Sequence, residues 1–193
     1  ICIRKHYQHL PLSLYMPYCP HARMDRVKAP TDVFTLKYFC ETINDLGFAA
    51  VYIEDPHSNV CEALLDNVQV VSAQAHIETV IEKIADENLV MCYPDEGAMK
   101  RYSGMVSKPY SFGVKRRNWA DGKIEGLDLM HPDVVVGKNV LIVDDICSRG
   151  GTFYHTAKAL KDAGAAKVYL YVTHCEMTIF NGDLVNSGLV EKI

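Results

Sequence analysis

The sequence predicts an α/β fold, with mainly parallel sheets flanked by helices. Short runs rich in β-branched and aromatic residues alternate with stretches whose apolar residues recur at helical spacing, the order expected of βαβ units. Several of the apolar runs also close directly on carboxylates, as VLIVDD does at 140–145. Open parallel sheets collect ligand-facing polar residues at the C-terminal ends of their strands.

Taken in order, IRKHYQHL near the start reads as a helix, and LSLYMPY (12–18) as a strand running into Pro17 and Pro20. Residues 31–47 form the clearest helix: Thr31 or Asp32 can cap its start, Leu36, Phe39, Cys40, Ile43 and Leu46 share one face, and Gly47 stops it. FAAVYIED (48–55) is the next strand, and a carboxylate-rich turn follows it. VQVVSA (68–73) is a short strand ahead of a helix over 76–87, and LVMCYPD (89–95) is an apolar strand closing on an acid, with a helix near 97–106 behind it. After a less regular section come the strand 138–145, the helix 151–163 and the buried strand AKVYLYVTH (166–174). The chain opens on Ile1 inside a helical run and closes on LVEKI, which reads as an unfinished strand, so further segments are expected at both ends.

At 193 residues, 49% hydrophobic and 23% charged, the chain has the composition of a globular protein with a substantial core. The net charge of −4 argues against a nucleic-acid partner, which would call for a basic face. Seven cysteines, mostly inside apolar runs and with no CxxC pair, read as reduced, buried thiols of a cytoplasmic protein. No apolar run approaches bilayer length and no signal peptide is visible, so no membrane partner is expected.

Three strands deliver acids at their C-terminal ends: Glu54 and Asp55, then Asp95, then Asp144 and Asp145. Any one of them could be a helix N-cap; three together point to a ligand-facing edge. After the last pair, Ser148, Arg149, Gly150, Gly151 and Thr152 lead into a helix. Such a turn offers backbone N–H groups and the positive end of a helix dipole to a phosphate. The adjacent carboxylates suit sugar hydroxyls, or Mg2+ bridging sugar and phosphates.

A strand, two aspartates and a G-G-T turn opening a helix resemble the phosphoribosyl-pyrophosphate loop of type I phosphoribosyltransferases and of ribose-phosphate pyrophosphokinases (PRPP synthetases). Further segments resemble the second family. PYCPHARMDR (17–26) is similar to its P-Y-A-R-Q-D-R, with Met24 for Gln. EDPHSN (54–59) matches its D-L-H-S/A, with Pro56 for Leu, and YPDEGAMKR (93–101) resembles S-P-D-x-G-G-x-x-R. VKRRN (114–118) resembles the catalytic-loop K-R-R, and NWADGKIEG after it could close as a lid. Ser148 and Arg149 depart from the pattern, standing where the family more often has Asp and Thr.

The resemblance implies two phosphoribosyltransferase-like domains, 1–73 (incomplete, carrying the ATP-site segment) and 74–193 (carrying the ribose-phosphate loop). It implies transfer of the diphosphoryl group of Mg-ATP to the 1-hydroxyl of ribose 5-phosphate, giving PRPP and AMP. The roles it carries over are catalysis by Lys115 and Arg117, ATP binding by Arg23, Met24, Asp25, Arg26 and His57, and Mg2+ binding by His57 and Asp95. Asp144, Asp145, Ser148, Arg149, Gly150, Gly151 and Thr152 would bind ribose 5-phosphate, and a homo-oligomer (dimer or hexamer) is implied. Each residue also has a plainer reading: Arg23 and Arg26 as charge partners of Asp25, His57 as an ordinary histidine, Asp95 as a helix cap, and Lys115 to Arg117 as a solvated basic run. A type I phosphoribosyltransferase, and a non-catalytic regulatory relative, are the alternatives.

Overall fold

The structure is a computed structural model that describes residues 2–7, 9–117 and 124–193, and all their side chains except those of Arg4, Lys115, Arg116, Arg117, Ile124 and Glu125. The chain divides into two compact units, Ile1–Ala73 and Gln74–Ile193.

The first unit holds α1 (Cys2–His6), β1 (Ser13–Met16), α2 (Thr35–Asp45), β2 (Ala50–Glu54), α3 (Asn59–Leu64) and β3 (Val68–Val71). Its sheet is three-stranded and all parallel in the order β1-β2-β3. Strand β2 alternates half-buried and buried residues, and its buried Val51 and Ile53 pack with Leu36 and Cys40 of α2 and Cys61 of α3. Cys19 joins the same core, its Sγ 2.9 Å from that of Cys61. Helix α2 begins later than its sequence suggests, at Thr35, with Phe34 ahead of it making no side-chain cap. Asp32 is drawn backwards instead: its Oδ2 accepts from the amides of Lys28 (3.0 Å) and Ala29 (2.9 Å), closing a separate turn around Pro30. The carboxylate-rich turn after β2 runs on into α3, a helix the sequence reading lacked.

The second unit holds α4 (Gln74–Ile84), β4 (Val90–Tyr93), α5 (Glu96–Tyr102), β5 (Tyr110–Arg117), β6 (Ile124–Met130), a 3-10 turn (Pro132–Val135), β7 (Asn139–Cys147), α6 (Gly151–Asp162), β8 (Lys167–Cys175) and a second 3-10 turn (Met177–Asn181). Its five strands lie in the order β6-β5-β4-β7-β8, parallel except for the antiparallel pair β5/β6. The less regular section of the sequence is therefore a hairpin. Strand β7 is central and nearly continuous in its burial, as a strand covered on both faces should be. Val140 and Ile142 pack with Phe153, Ala157 and Leu160 of α6 and Val168 and Leu170 of β8. LVEKI adds only an isolated bridge, Lys192 to Tyr169.

The acids of the three strand ends thus fall in two different sheets: Glu54 and Asp55 in the first, and Asp95, Asp144 and Asp145 in the second. Among the described residues, no helix is long and apolar enough to cross a membrane.

Candidate functional site

In the second unit, β4, β7 and β8 run parallel, so their C-terminal ends deliver Asp95, Asp144, Asp145 and the residues after Cys175 to one edge. Strand β7 continues two residues past the aspartates because Ile146 and Cys147 pair in register with His174 and Cys175. The turn is correspondingly short, Ser148 to Gly150.

Gly150 makes the change of direction. It caps α6 in the left-handed region (φ 80, ψ 10), and a Cβ there would come within 2.9 Å of Leu184 Cδ2. Arg149 turns its side chain to solvent, while its carbonyl packs on the bare Cα of Gly182, where a Cβ would overlap the carbonyl oxygen. The first helical bond of α6 runs from the Tyr154 amide to the Gly150 carbonyl (2.8 Å). The amides of Gly151, Thr152 and Phe153 ahead of it have no partner among the described residues, and a Cβ on Gly151 would meet open space. An anion has both the donors and the room it needs there.

The two aspartates have different partners. Asp145 is buried and points to Arg101 of α5, whose Nη1 donates to its Oδ2 at 3.1 Å; its Oδ1 accepts from the Ile146 amide at 2.8 Å. Asp144 accepts from the Asp145 amide at 3.0 Å. Burial first, and then the Asp145 and Asp95 charges, hold the Asp144 carboxyl well above the usual carboxylate range. Such a carboxyl gains strongly from a cation or a hydroxyl donor brought beside it. Asp95 caps α5, its Oδ1 accepting from the Ala98 amide at 3.1 Å. Among the described residues no group of three or more His, Cys, Asp or Glu side chains is arranged to hold a metal ion. One or two carboxylates at a phosphate turn match the habit of Mg2+, which completes its shell with water and substrate phosphates instead of an all-protein cage.

Ser148 is tied to residues after β8. Its hydroxyl donates to Glu176 Oε2 at 2.5 Å and lies 3.1 Å from the Thr178 hydroxyl, which donates to the same carboxylate oxygen at 3.1 Å. Sequence reasoning missed three residues here: Arg101, which counters Asp145; Glu176, which holds Ser148; and Gly182, which admits the Arg149 carbonyl. Only Arg101 lay inside a recognised motif, and none of the three carries a local signal of its role.

Lys115 and Arg117 fall on β5, opposite Leu127 and Ile124 of β6. Beyond Phe112, the last residue paired with β4, the strand runs on toward the edge that carries Asp95. Their side chains, and Asn118 to Lys123 of the expected lid, lie outside the described residues.

In the first unit, the segment after β1 and the turn after β2 leave the same edge of the parallel sheet. Arg26 forks onto Asp25, Nε to Oδ1 and Nη2 to Oδ2, both at 2.7 Å. That guanidinium, with His57 adding a smaller share, holds the buried Asp25 carboxyl down to about 2. Asp25 is thus an anchor for Arg26, whose side chain remains 60% exposed. Met24 is exposed, with its sulfur taking a hydrogen bond from the Thr35 hydroxyl at 3.2 Å, and Arg23 is also exposed. Asp55 is buried in the left-handed region (φ 41), and His57 two residues on is half-buried. The structure therefore groups Arg23 to Arg26 with His57 in one unit, and Asp95 with Asp144 to Thr152 in the other.

Known proteins resemble this chain over most of its length. A family model for the phosphoribosyl transferase domain matches residues 106–178. The chain is 28% identical over 187 residues to the ribose-phosphate pyrophosphokinase of Chlorobaculum tepidum, covering 94% of this chain and 57% of that one. It is 35% identical over 170 residues to the enzyme of the same name from Thermococcus kodakarensis, covering 84% and 58%. The crystal structure of phosphoribosylpyrophosphate synthetase from Mycobacterium smegmatis superposes with a TM-score of 0.72 at 23% identity, covering 86% of this chain and 54% of that one, a likeness of fold. The chain spans somewhat over half the length of these relatives. With the D-D and G-G-T turn at the sheet edge, the chain has a phosphoribosyltransferase-type α/β fold and is similar along most of its length to ribose-phosphate pyrophosphokinases.

Proposed function

We propose that the protein is a ribose-phosphate pyrophosphokinase, transferring the diphosphoryl group of Mg-ATP to the 1-hydroxyl of ribose 5-phosphate to give PRPP and AMP. The observation that carries this is the turn at 148–152: the amides of Gly151, Thr152 and Phe153 have no partner among the described residues, and the Asp144 carboxyl beside them is held well above the usual carboxylate range by burial and by the Asp145 and Asp95 charges. The 5-phosphate sits on those amides, with Thr152 adding a hydroxyl, and Asp144 accepts from the ribose hydroxyls. Arg23 and Arg26 bind the nucleotide phosphates, with Asp25 fixing the Arg26 fork. Lys115 and Arg117 neutralise charge on the transferring group, since phosphoryl-type transfer rests on positioning and electrostatics more than on covalent catalysis. His57 in the first unit and Asp95 in the second would each offer a ligand to Mg2+ arriving with the triphosphate, and the ion would supply positive charge for the transfer. The working protein is a cytoplasmic homo-oligomer on this reading.

Incubating the protein with Mg-ATP and ribose 5-phosphate should yield AMP and PRPP in equal amounts. The inward commitment of Ser148 to Glu176 and of Asp145 to Arg101 favours a second reading, a non-catalytic, nucleotide-binding relative. ATP binding without AMP formation would establish it, and base-dependent pyrophosphate release would mark a phosphoribosyltransferase instead.

A further inference from the structure

Glu176 lies outside every motif discussed above, yet it meets the sugar-phosphate turn directly. Its amide donates to the Cys147 carbonyl at 2.8 Å, which fixes its backbone against the last residue of β7. Its Oε2 receives the hydroxyl protons of Ser148 and Thr178. A serine hydroxyl carries one proton, and at 2.5 Å from a carboxylate oxygen that proton is held in a short, charge-assisted bond. Ser148 therefore has no proton left to offer a phosphate.

We propose that Glu176 is a positioning residue of the sugar-phosphate turn. Acting through Ser148, it pins the start of the turn so that the backbone amides of Gly151, Thr152 and Phe153 hold their aim with no ligand present. This inference rests on the reading of the turn as the ribose 5-phosphate site. The opposite end of the turn is braced separately, by Gly150 against Leu184 and by the Arg149 carbonyl against Gly182. Ser148 is then the one loop side chain through which β8's end can set the geometry. A direct phosphate ligand at 148 would leave the Glu176 carboxylate beside the phosphate with only repulsion to contribute; a tether uses that carboxylate as an acceptor.

The test compares Glu176→Ala, Glu176→Gln, Ser148→Ala and the double variant Ser148→Ala/Glu176→Ala with the wild type. Two readouts are needed: ribose 5-phosphate affinity by calorimetry, and hydrogen exchange of the ligand-free 148–153 amides. Losing a charge-assisted bond that orders the turn should weaken ribose 5-phosphate about tenfold in Glu176→Ala and speed exchange at the turn. Glu176→Gln, which keeps an acceptor oxygen, should recover most of the affinity, a rescue that a packing role would not show. Ser148→Ala and the double variant should match Glu176→Ala within about twofold, because one pathway carries the effect. If the wild type binds ribose 5-phosphate and the variants bind and exchange like it, or if the two single losses add, the inference is overturned and the sugar-phosphate reading stands. If the wild type binds none, while Glu176→Ala still loosens the turn, the sugar-phosphate reading fails and takes this proposal with it.

Discussion

Replacing Arg101 with methionine removes the guanidinium, which also lies 5.5 Å over the Tyr102 ring, and keeps an unbranched apolar stem. The Arg101–Asp145 pair is 3.1 Å apart, with the aspartate side chain 5% exposed and the arginine 27%. At that spacing, and an effective dielectric of ~20, Coulomb attraction is about 5 kcal/mol before desolvation. The remaining exposure of Arg101 trims this, and burying Asp145 beside Asp144 without the Arg101 guanidinium should destabilise the fold by about 3 kcal/mol at neutral pH. Urea unfolding of the purified protein would read this directly, supported by a fall in Tm of about 10 °C. Asp145→Asn in the Arg101→Met background should return most of the loss, since the amide still accepts from Ile146 without a charge to neutralise. An Arg101→Met protein as stable as the wild type, or an Asp145→Asn that rescues nothing, would refute the account of why a buried pair of aspartates is tolerated at this edge.

Other expectations can be checked as directly. Lys115→Ala should lower turnover in AMP formation by about a hundredfold, as when a transition-state charge partner is removed; an unchanged rate would end its assignment. The Asp25 carboxyl is held down to about 2 from an ordinary 3.8, so its stabilising share is present above the higher value and lost as pH falls through the lower one. Wild type should therefore exceed Arg26→Ala by ~1 kcal/mol at pH 7, after discounting for the exposed arginine, and the gap should close between those two pH values in an acid titration of unfolding. Gly182→Ala puts a methyl into the Arg149 carbonyl and should cost about 3 kcal/mol in urea unfolding, with weaker ribose 5-phosphate binding alongside.

The elements that could be read along the chain are those whose pattern is set by their own burial. The 138–145 run is apolar because β7 is covered on both faces, and the 151–163 stretch shows one apolar stripe because α6 packs on that strand. The features that escaped are set from elsewhere. Helix α3 is six residues long and is held by Cys61 in a core, with little propensity behind it. The hairpin β5/β6 carries Val114 nearly half exposed and a basic run on its first strand, so its alternation is blurred. At the site the turn itself was legible, because glycine and adjacent carboxylates leave a local mark. Its supports were not, since Arg101 and Glu176 stand 44 and 28 residues from their partners. Asp32 is a smaller case of the same thing: a residue suited to capping a helix found two amides behind it first.

The packing of the Arg149 carbonyl on Gly182 bears on how small a working piece of this protein can be. The residues proposed to touch a sugar phosphate, Asp144 to Thr152, all lie upstream of Gly182, and a fragment ending soon after them would keep the whole recognition signature. It would nevertheless lose the template that moulds the turn, because that template is supplied by chain more than thirty residues downstream. Grafting the signature onto another scaffold should fail for the same reason unless the distant buttress travels with it.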